Sequence, residues 1–309
     1  MKVLVTGANG FIGSALCNQI RDASIELVGA VRQTDEIDFI SVGDIDGNTD
    51  WSSALKGIDV IVHLAAKAHF LNQTSFDYLD NYRTVNTMGT INLAFQAKKS
   101  GVKRFIYIST AKVNGEHTND RAPYSIDDFP FPKDAFGISK MEAEYGLKEL
   151  ASTSSMEYVI IRPPLVYGQG VKANFSAMMK LASKNIPLPL GAINNKRSLV
   201  NLNNLVDLIM VCLGNPKAAN QTFFVSDDYD VSTPYLLRTL ISSVGRSPRV
   251  LSVPPLLLKL FVRILGKKQV YDRLCSSFQV DISHTKNVLD WAPSVSFEQG
   301  IARCFDKGS

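Results

Sequence analysis

The chain has 309 residues, of which 45% are hydrophobic and 20% charged, and its formal net charge at pH 7 is +4. This composition suits one large α/β domain or two coupled domains, and the small, dispersed charge excludes a dedicated nucleic-acid-binding surface. The four cysteines are far apart, with no CxxC pair, and the four histidines show no HExxH-type spacing. Without the spacing of a disulfide framework or a metal site, they predict reduced thiols, no bound metal and a cytoplasmic location.

Short β-branched segments alternate with longer amphipathic segments in the first half of the chain. The predicted strands are KVLVTG, IELVGAV, DVIVHLA, RFIYIST and YVIIRPP. Strands that are apolar throughout, with helices between them, are typical of a parallel sheet that is covered on both faces. The sequence therefore predicts the α/β fold class, with a Rossmann-type doubly wound parallel sheet over residues 1–170.

The first strand runs into a glycine-rich turn, VTGANGFIG. Gly7 can take the tight turn, Gly10 lets a diphosphate approach the backbone, and Gly13 lets the following helix pack closely on the sheet. The N-terminus of that helix supplies partial positive charge. The turn therefore predicts a dinucleotide, and the candidate contacts are Gly7, Asn9, Gly10, Phe11, Ile12 and Gly13.

The end of the second strand bears on which dinucleotide binds. The segment VGAVRQ lacks the acidic residue that usually binds the ribose hydroxyls of NAD, and Arg32 favours the 2′-phosphate of NADP. Alternatively, Arg32 stacks on the adenine of either coenzyme. The segment GDI is predicted to end the third strand, with Asp44 at the adenine amino group and Ile45 against the ring.

The fourth predicted strand leads into HLAAKAHF. Leu64, Ala65 and Ala66 belong to this loop, where small side chains let the coenzyme lie against the backbone. Lys67 follows them and faces either the sugar of a substrate or the solvent.

The pattern changes after residue 170. Residues 171–198 are rich in proline, glycine and asparagine, whereas 199–226 predict a strand, a helix and a strand that return to the first domain. Residues 227–309 are mostly helical in pattern. We expect 171–198 and 227–309 to form a smaller, mostly helical substrate-binding domain.

One segment of that domain, VPPLLLKLFVRILGKK, is strongly apolar. It is interrupted by Lys259 and Arg263 and is shorter than the ~20 residues that a membrane span needs, so we predict no integral membrane segment. It predicts an amphipathic helix that packs on its own domain or lies on a membrane surface. The sparse charge favours packing, although Lys267 and Lys268 suit a membrane surface.

Eight motifs occur in order along nearly the whole chain: TGANGFIG, GDI, HLAA, NTMGT, YISTAKVNGE, FGISKMEAE, IRPPLVYG and VDISHTKNVLDWAP. Together they resemble the extended short-chain dehydrogenase/reductases of the NAD-dependent epimerase/dehydratase family. PLPLGAINNKRSLVNLNNLVD and QVDISHTKNVLDW look most similar to bacterial surface-polysaccharide enzymes, among them UDP-N-acetylquinovosamine-type 4-ketoreductases and UDP-hexose 4-epimerases.

The resemblance implies hydride transfer between a nicotinamide and a sugar carbon, usually C4. The family moves the accompanying proton with the tyrosine of a YxxxK motif, whose lysine binds the nicotinamide ribose. Here Lys140 is present, but Phe136 holds the tyrosine position, and Thr110 holds the position of the Ser/Thr that binds the sugar oxygen.

Three explanations of Phe136 remain open. The chain is an engineered Tyr→Phe variant, a natural variant with another proton donor, or a protein that binds without catalysis. The alternative donors are Tyr124, Lys140 and a water held by Thr110.

The resemblance also suggests contacts for the rest of the ligands. Pro163 interrupts strand pairing and leaves backbone groups for the nicotinamide carboxamide, whereas Arg162 suits a structural ion pair. Asn174 and Arg197 match residues that bind the diphosphate of a UDP-sugar, and Arg273 is a third candidate.

We therefore expect an NAD(P)-dependent enzyme that acts at C4 of a UDP-hexose or UDP-N-acetylhexosamine, impaired by Phe136. Arg32 suits NADP and so slightly favours 4-keto reduction over 4-epimerisation. The alternative is a non-catalytic sensor of NAD(P) and nucleotide sugar. By analogy with the family we expect a homodimer through the helices that begin near Thr84 and Asp134.

Overall fold

The computed structural model describes residues 1–34, 39–68, 77–184, 186–264 and 268–305. Within these ranges it describes every side chain except those at positions 77, 173, 174, 260–264, 268–270 and 273.

A seven-stranded sheet forms the centre of the fold. Its strands are β1 (Lys2–Thr6), β2 (Glu26–Val31), β3 (Phe39–Ser41), β4 (Val60–His63), β5 (Arg104–Ile108), β6 (Glu157–Arg162) and β9 (Gln221–Phe224). Their order is β3-β2-β1-β4-β5-β6-β9, and every pairing is parallel. The order 3-2-1-4-5-6 defines a Rossmann-type doubly wound sheet. The predicted fold class is therefore confirmed.

Two further strands, β7 (Leu165–Tyr167) and β8 (Leu199–Asn201), pair with each other in a small parallel sheet. The helices are α1 (Phe11–Asp22), α2 (Asp77–Tyr82), α3 (Thr90–Lys99), α4 (Ala135–Ser152), α5 (Ala173–Lys184), α6 (Leu202–Gly214), α7 (Thr233–Ser243), α8 (Pro255–Ile264), α9 (Lys268–Cys275), α10 (Ser283–Leu289) and α11 (Phe297–Arg303). A π-helical segment, Arg83–Gly89, joins α2 to α3.

The apolar strands are explained by helices on both faces of the sheet. Val3 and Val5 pack in a core cluster with Leu16 of α1, whereas Leu4 packs in a second cluster with Leu93 of α3. Successive side chains of a strand point to opposite faces. A strand covered on both sides must therefore be apolar where both faces are buried, as Val3, Leu4 and Val5 are in β1.

A third core cluster lies among α5, α7 and α11, with Phe175, Leu237 and Phe297 among its members. Segment 186–198 joins this part of the molecule through single β-bridges from Leu188 to Val250 and from Arg197 to Val231. The described part of residues 227–305 is mostly helical, whereas β9 pairs with β6 in the main sheet. The domain boundaries remain predictions. Among the described helices, none is long and apolar enough to cross a bilayer.

Candidate active site

The carboxyl ends of the parallel strands bring the predicted motifs to one edge of the sheet. The loops after β1, β4, β5 and β6 carry the glycine turn, HLAA, Ser109–Thr110 and Pro163, respectively. In open sheets of this order, ligands bind at this edge where the direction of winding reverses, which here is between β1 and β4. This edge is therefore the candidate active site.

At Gly7 and Gly13 the glycine turn has no room for a Cβ atom. Gly7 has φ of +68°, and a Cβ there would lie 3.0 Å from the amide nitrogen of Ala65. A Cβ on Gly13 would lie 2.1 Å from the carbonyl oxygen of Gly7, closer than real Cβ atoms approach. Gly10 caps α1 without a side-chain hydrogen bond. The first turn of α1 therefore presents its amide groups without a competing side chain.

A cleft of about 620 Å³ opens beside this turn. Asn9, Gly10 and Phe11 line this cleft together with the exposed cations Lys172 and Arg303. Cations near a helix N-terminus favour an anionic ligand. The sequence pattern pointed to neither Lys172 nor Arg303, because both are far along the chain from the glycine turn.

The structure pairs two residues that the sequence assigned separately to the adenosine end. Arg32 forms an ion pair with Asp44 at 2.7 Å, and both side chains are largely exposed. β3 ends at Ser41, so Asp44 and Ile45 lie in the following loop and do not end the third strand. Ile45 packs against Gly89, where a Cβ would lie 2.6 Å from its Cγ2.

The loop after β4 is held by Asn86, a buried residue of the π-helical segment. The Asn86 side chain accepts a 2.8 Å hydrogen bond from the Lys67 amide and donates to the Lys67 carbonyl at 3.0 Å and to Ser139 of α4 at 3.0 Å. π-helical segments often occur at functional sites. Asn86 therefore positions the loop, a role that the motif NTMGT alone did not reveal.

Lys140 is buried at the end of β5. Its ammonium group donates a 2.7 Å hydrogen bond to the Ile108 carbonyl and lies 4.4 Å from the centre of the Tyr107 ring. Burial lowers its pKa to about 7, against the opposing effect of Glu144. Burial, and then the charge of Lys140, lowers the pKa of His63 to about 3, so His63 is neutral.

Thr110 directly follows β5. It is 9% exposed, and its hydroxyl oxygen accepts a hydrogen bond from the Lys112 amide at 3.3 Å. Its hydroxyl proton can therefore be donated elsewhere. The neighbouring Ser109 hydroxyl is buried and has no hydrogen-bond partner in the described part of the protein. The same is true of the Tyr107 hydroxyl. A buried polar atom without a partner is costly, so an additional ligand or water partner is expected for both.

Phe136 lies in the first turn of α4, one helical turn before Lys140. Asp134 caps the N-terminus of this helix, and its carboxylate accepts from the Gly137 amide at 2.7 Å and pairs with Lys112 at 2.5 Å. The half-buried Phe136 ring contacts Tyr82 edge-on, with the ring centres 6.0 Å apart. The contact of a tyrosine with the Phe136 ring was not anticipated from the sequence.

Two other predicted residues have structural contacts. The Tyr124 hydroxyl donates to the His117 carbonyl at 2.9 Å, which gives this alternative donor a backbone partner. Arg162 forms a buried ion pair with Glu144, which confirms its predicted structural role. The Pro163 carbonyl accepts a 2.9 Å hydrogen bond from the Ala111 amide, so that oxygen already has one partner.

The substrate-side candidates are less completely described. The side chains of Asn174 and Arg273 lie outside the described part of the structure, although their backbones belong to α5 and α9. Arg197 is half-buried, and its guanidinium group donates to the Ser276 carbonyl at 3.2 Å. Burial lowers its pKa. An assignment of these three residues to a phosphate therefore remains a prediction.

The residues at this edge fit a dinucleotide. The glycine turn leaves space that a Cβ would fill, the first turn of α1 presents amides for a diphosphate, and Ser109 has an unsatisfied hydroxyl. Comparison with known proteins agrees. Residues 3–226 match the NAD dependent epimerase/dehydratase family. The chain belongs to this family.

Three relatives illustrate the similarity. The chain is 50% identical over 305 residues to the UDP-glucose 4-epimerase of Vibrio cholerae, covering 97% of this chain and 93% of the relative. It is 26% identical over 317 residues to the N-acetyl-alpha-D-glucosaminyl-diphospho-ditrans,octacis-undecaprenol 4-epimerase of Escherichia coli O157:H7, covering 98% and 93%. Its fold matches the Bacillus cereus UDP-glucuronic acid 4-epimerase in complex with UDP-glucuronic acid and NAD, with a TM-score of 0.79, 24% identity and coverage of 99% and 98%.

Proposed function

We propose that this protein is an NAD-dependent enzyme that epimerises C4 of a UDP-hexose or UDP-N-acetylhexosamine in the cytoplasm, for polysaccharide biosynthesis. The observation that carries the proposal is the placement of Lys140 and Thr110 at the same sheet edge as the glycine turn. The 50% identity to a UDP-glucose 4-epimerase along nearly the whole chain supports the substrate class.

The Arg32–Asp44 ion pair supports NAD over the NADP that the sequence favoured. The Asp44 carboxylate neutralises the charge that would attract a 2′-phosphate, and it would repel that phosphate directly. The preference for 4-keto reduction depended on NADP, so it loses its basis. The relative bound to NAD is also a 4-epimerase.

When bound, NAD supplies the hydride acceptor and donor at C4. The protein must hold the sugar and move the proton of its O4 hydroxyl, because an alcohol is too weak an acid to lose that proton unaided. In this proposal the Thr110 hydroxyl donates a hydrogen bond to this oxygen. Lys140 accepts and returns the proton, because its pKa of about 7 lets both of its protonation states be populated near neutral pH. Phe136 cannot take part, so turnover is slow.

Binding without catalysis is the second candidate, because Phe136 lacks a hydroxyl. The two functions differ in a direct assay. Purified protein is incubated with NAD and either UDP-glucose or UDP-N-acetylglucosamine, and the C4 epimer is followed by NMR. Slow formation of the epimer supports the enzyme. Saturable binding of both ligands without any epimer, even after prolonged incubation, would support the sensor.

We also propose a homodimer. Met88, Phe95 and Tyr145 are 55%, 44% and 53% exposed, and they lie on the π-helical segment, α3 and α4. Large apolar side chains exposed on adjacent helices are typical of a subunit interface. Light scattering of the wild-type protein and of a Phe95→Glu variant tests this, because the added charge should dissociate the dimer.

A further inference from the structure

The net charge of the chain is small, but it is not evenly dispersed along the sequence as its composition suggested: one segment is strongly basic. Residues 231–271 contain seven lysines and arginines and no aspartate or glutamate. This segment carries +7 in a chain with a total of +4, so the remaining residues carry −3. Its cations are Arg238, Arg246, Arg249, Lys259, Arg263, Lys267 and Lys268. A block of one sign in a nearly neutral protein is an electrostatic recognition feature.

The same segment exposes large apolar side chains. At the beginning of α8, Leu256 is 81% exposed and Leu257 is 59% exposed, and Leu251 just before the helix is 53% exposed. The side chains of Arg249 and Lys259 beside them are also exposed. We call these five residues the α8 surface. Clustered apolar side chains bordered by cations mark an interaction site.

The base of the α8 surface is firmly attached to the domain. The Leu188 amide donates to the Arg249 carbonyl at 2.9 Å, and the Leu251 amide donates to the Leu188 carbonyl at 2.8 Å. The Gly191 amide donates to the Leu251 carbonyl at 2.8 Å. Leu258, next to the exposed leucines, is only 7% exposed. The backbone before α8 is therefore paired and Leu258 packs inward, whereas Leu256 and Leu257 face outward.

The combination of adjacent cations and apolar side chains matches one kind of partner. A bilayer with anionic headgroups offers negative charge at its surface and an apolar interior just beneath it. A second copy of the chain would bring like charges together, because a symmetric contact sets the same surface against itself. We propose that the α8 surface binds anionic membranes, with Leu256 and Leu257 at the boundary between headgroups and acyl chains.

Co-sedimentation of the full chain with vesicles tests the proposal. We expect binding to vesicles of phosphatidylglycerol and phosphatidylcholine in equal parts, little binding to phosphatidylcholine alone, and weaker binding as salt is added. The double variant Leu256→Ser, Leu257→Ser should lower the affinity about tenfold or more. The double variant Arg249→Gln, Lys259→Gln should lower it about fivefold per cation at low salt.

Matched controls distinguish specific docking from general adhesion. Phe129→Ser removes a side chain that is 93% exposed in a loop elsewhere, and Lys56→Gln with Lys217→Gln removes two exposed cations outside residues 231–271. These controls should bind vesicles as the wild type does. Failure to bind anionic vesicles, or equal losses in the controls, would overturn the proposal. A wild-type oligomer that Leu256→Ser, Leu257→Ser dissociates would instead assign the surface to a second copy. The lipid result does not bear on epimerisation.

Discussion

The ammonium group of Lys140 is held 2.7 Å from the carbonyl oxygen of Ile108, at the carboxyl end of β5. The side chain is 2% exposed and lies against the Tyr107 ring. Burying a lysine costs free energy even with a backbone partner, and such buried titratable groups cluster at functional sites. Its position one turn after Phe136 makes these two residues the first targets for mutation.

Restoring the hydroxyl at position 136 should increase turnover. In Phe136→Tyr, the phenol would lie one helical turn from Lys140, whose charge favours the phenolate. A general acid–base group contributes about 10²–10⁴ in rate, so we expect a rise of that order in kcat for C4 epimerisation. Phe131→Tyr, which adds a hydroxyl to an exposed ring in the preceding loop, is the control. Equal, undetectable turnover in Phe136→Tyr and the control would favour the sensor.

Lys140→Met should abolish most of the activity that Phe136→Tyr provides. The thioether has a similar length but neither binds a ribose nor exchanges a proton, so we expect kcat to fall about 10²–10⁴-fold in the Phe136→Tyr background. Coenzyme affinity is measured in parallel by fluorescence titration. Unchanged kcat in this double variant would remove Lys140 from the mechanism.

The stability of the protein should also report the pKa of Lys140. The ordinary pKa of 10.5 applies to the unfolded chain, whereas the folded value is about 7. Between these values the unfolded chain binds more protons, so this residue's contribution to stability rises with pH. Below pH 7 both states are charged and the full cost of burial remains. Lys140→Met should therefore raise Tm relative to wild type more at about pH 6 than at about pH 9. A pH-independent difference, equal to that of Lys56→Met, would contradict the shift.

Asp44→Asn should shift coenzyme selectivity toward NADP. Loss of the carboxylate frees the charge of Arg32 and removes repulsion of a 2′-phosphate. Because both groups are exposed and screened, we expect the ratio of the Kd values for NAD and NADP to change by about three- to tenfold. Asp22→Asn, at the exposed end of α1, removes the same charge far from Arg32 and should leave the ratio unchanged. An unchanged ratio in Asp44→Asn would show that the ion pair does not control selectivity.

Gly13→Ala should damage the glycine turn. The added Cβ would lie 2.1 Å from the Gly7 carbonyl oxygen, so the backbone must move, at a cost of about 1–3 kcal/mol in the free energy of unfolding. Coenzyme affinity should fall with it. Gly214→Ala is the control, because no atom lies within 4 Å of a Cβ there. Chemical denaturation measures both. Equal stability of the two variants would refute the close approach.

Local sequence explains the parts of the site in which a few neighbouring residues decide the backbone. The glycine turn between β1 and α1 was predicted from three glycines within seven residues, and the structure adds that a Cβ on Gly13 would meet the Gly7 carbonyl oxygen. The alternation of strands and helices predicted the doubly wound sheet, because a strand covered on both faces needs apolar residues throughout. The resemblance to the family identified Lys140 and Thr110 as candidate active-site residues.

The sequence by itself thus determined the fold class, the family and the position of the glycine turn. Only the tertiary structure decided which side chains pair. In the structure Arg32 forms an ion pair with Asp44, and the Tyr124 hydroxyl donates to the His117 carbonyl. Tyr82 contacts Phe136, and Asn86 accepts a hydrogen bond from the Lys67 amide. The physical reason is that hydrogen bonds and ion pairs depend on distances of about 3 Å between groups. Such distances arise from the packing of whole elements, which local periodicity does not specify.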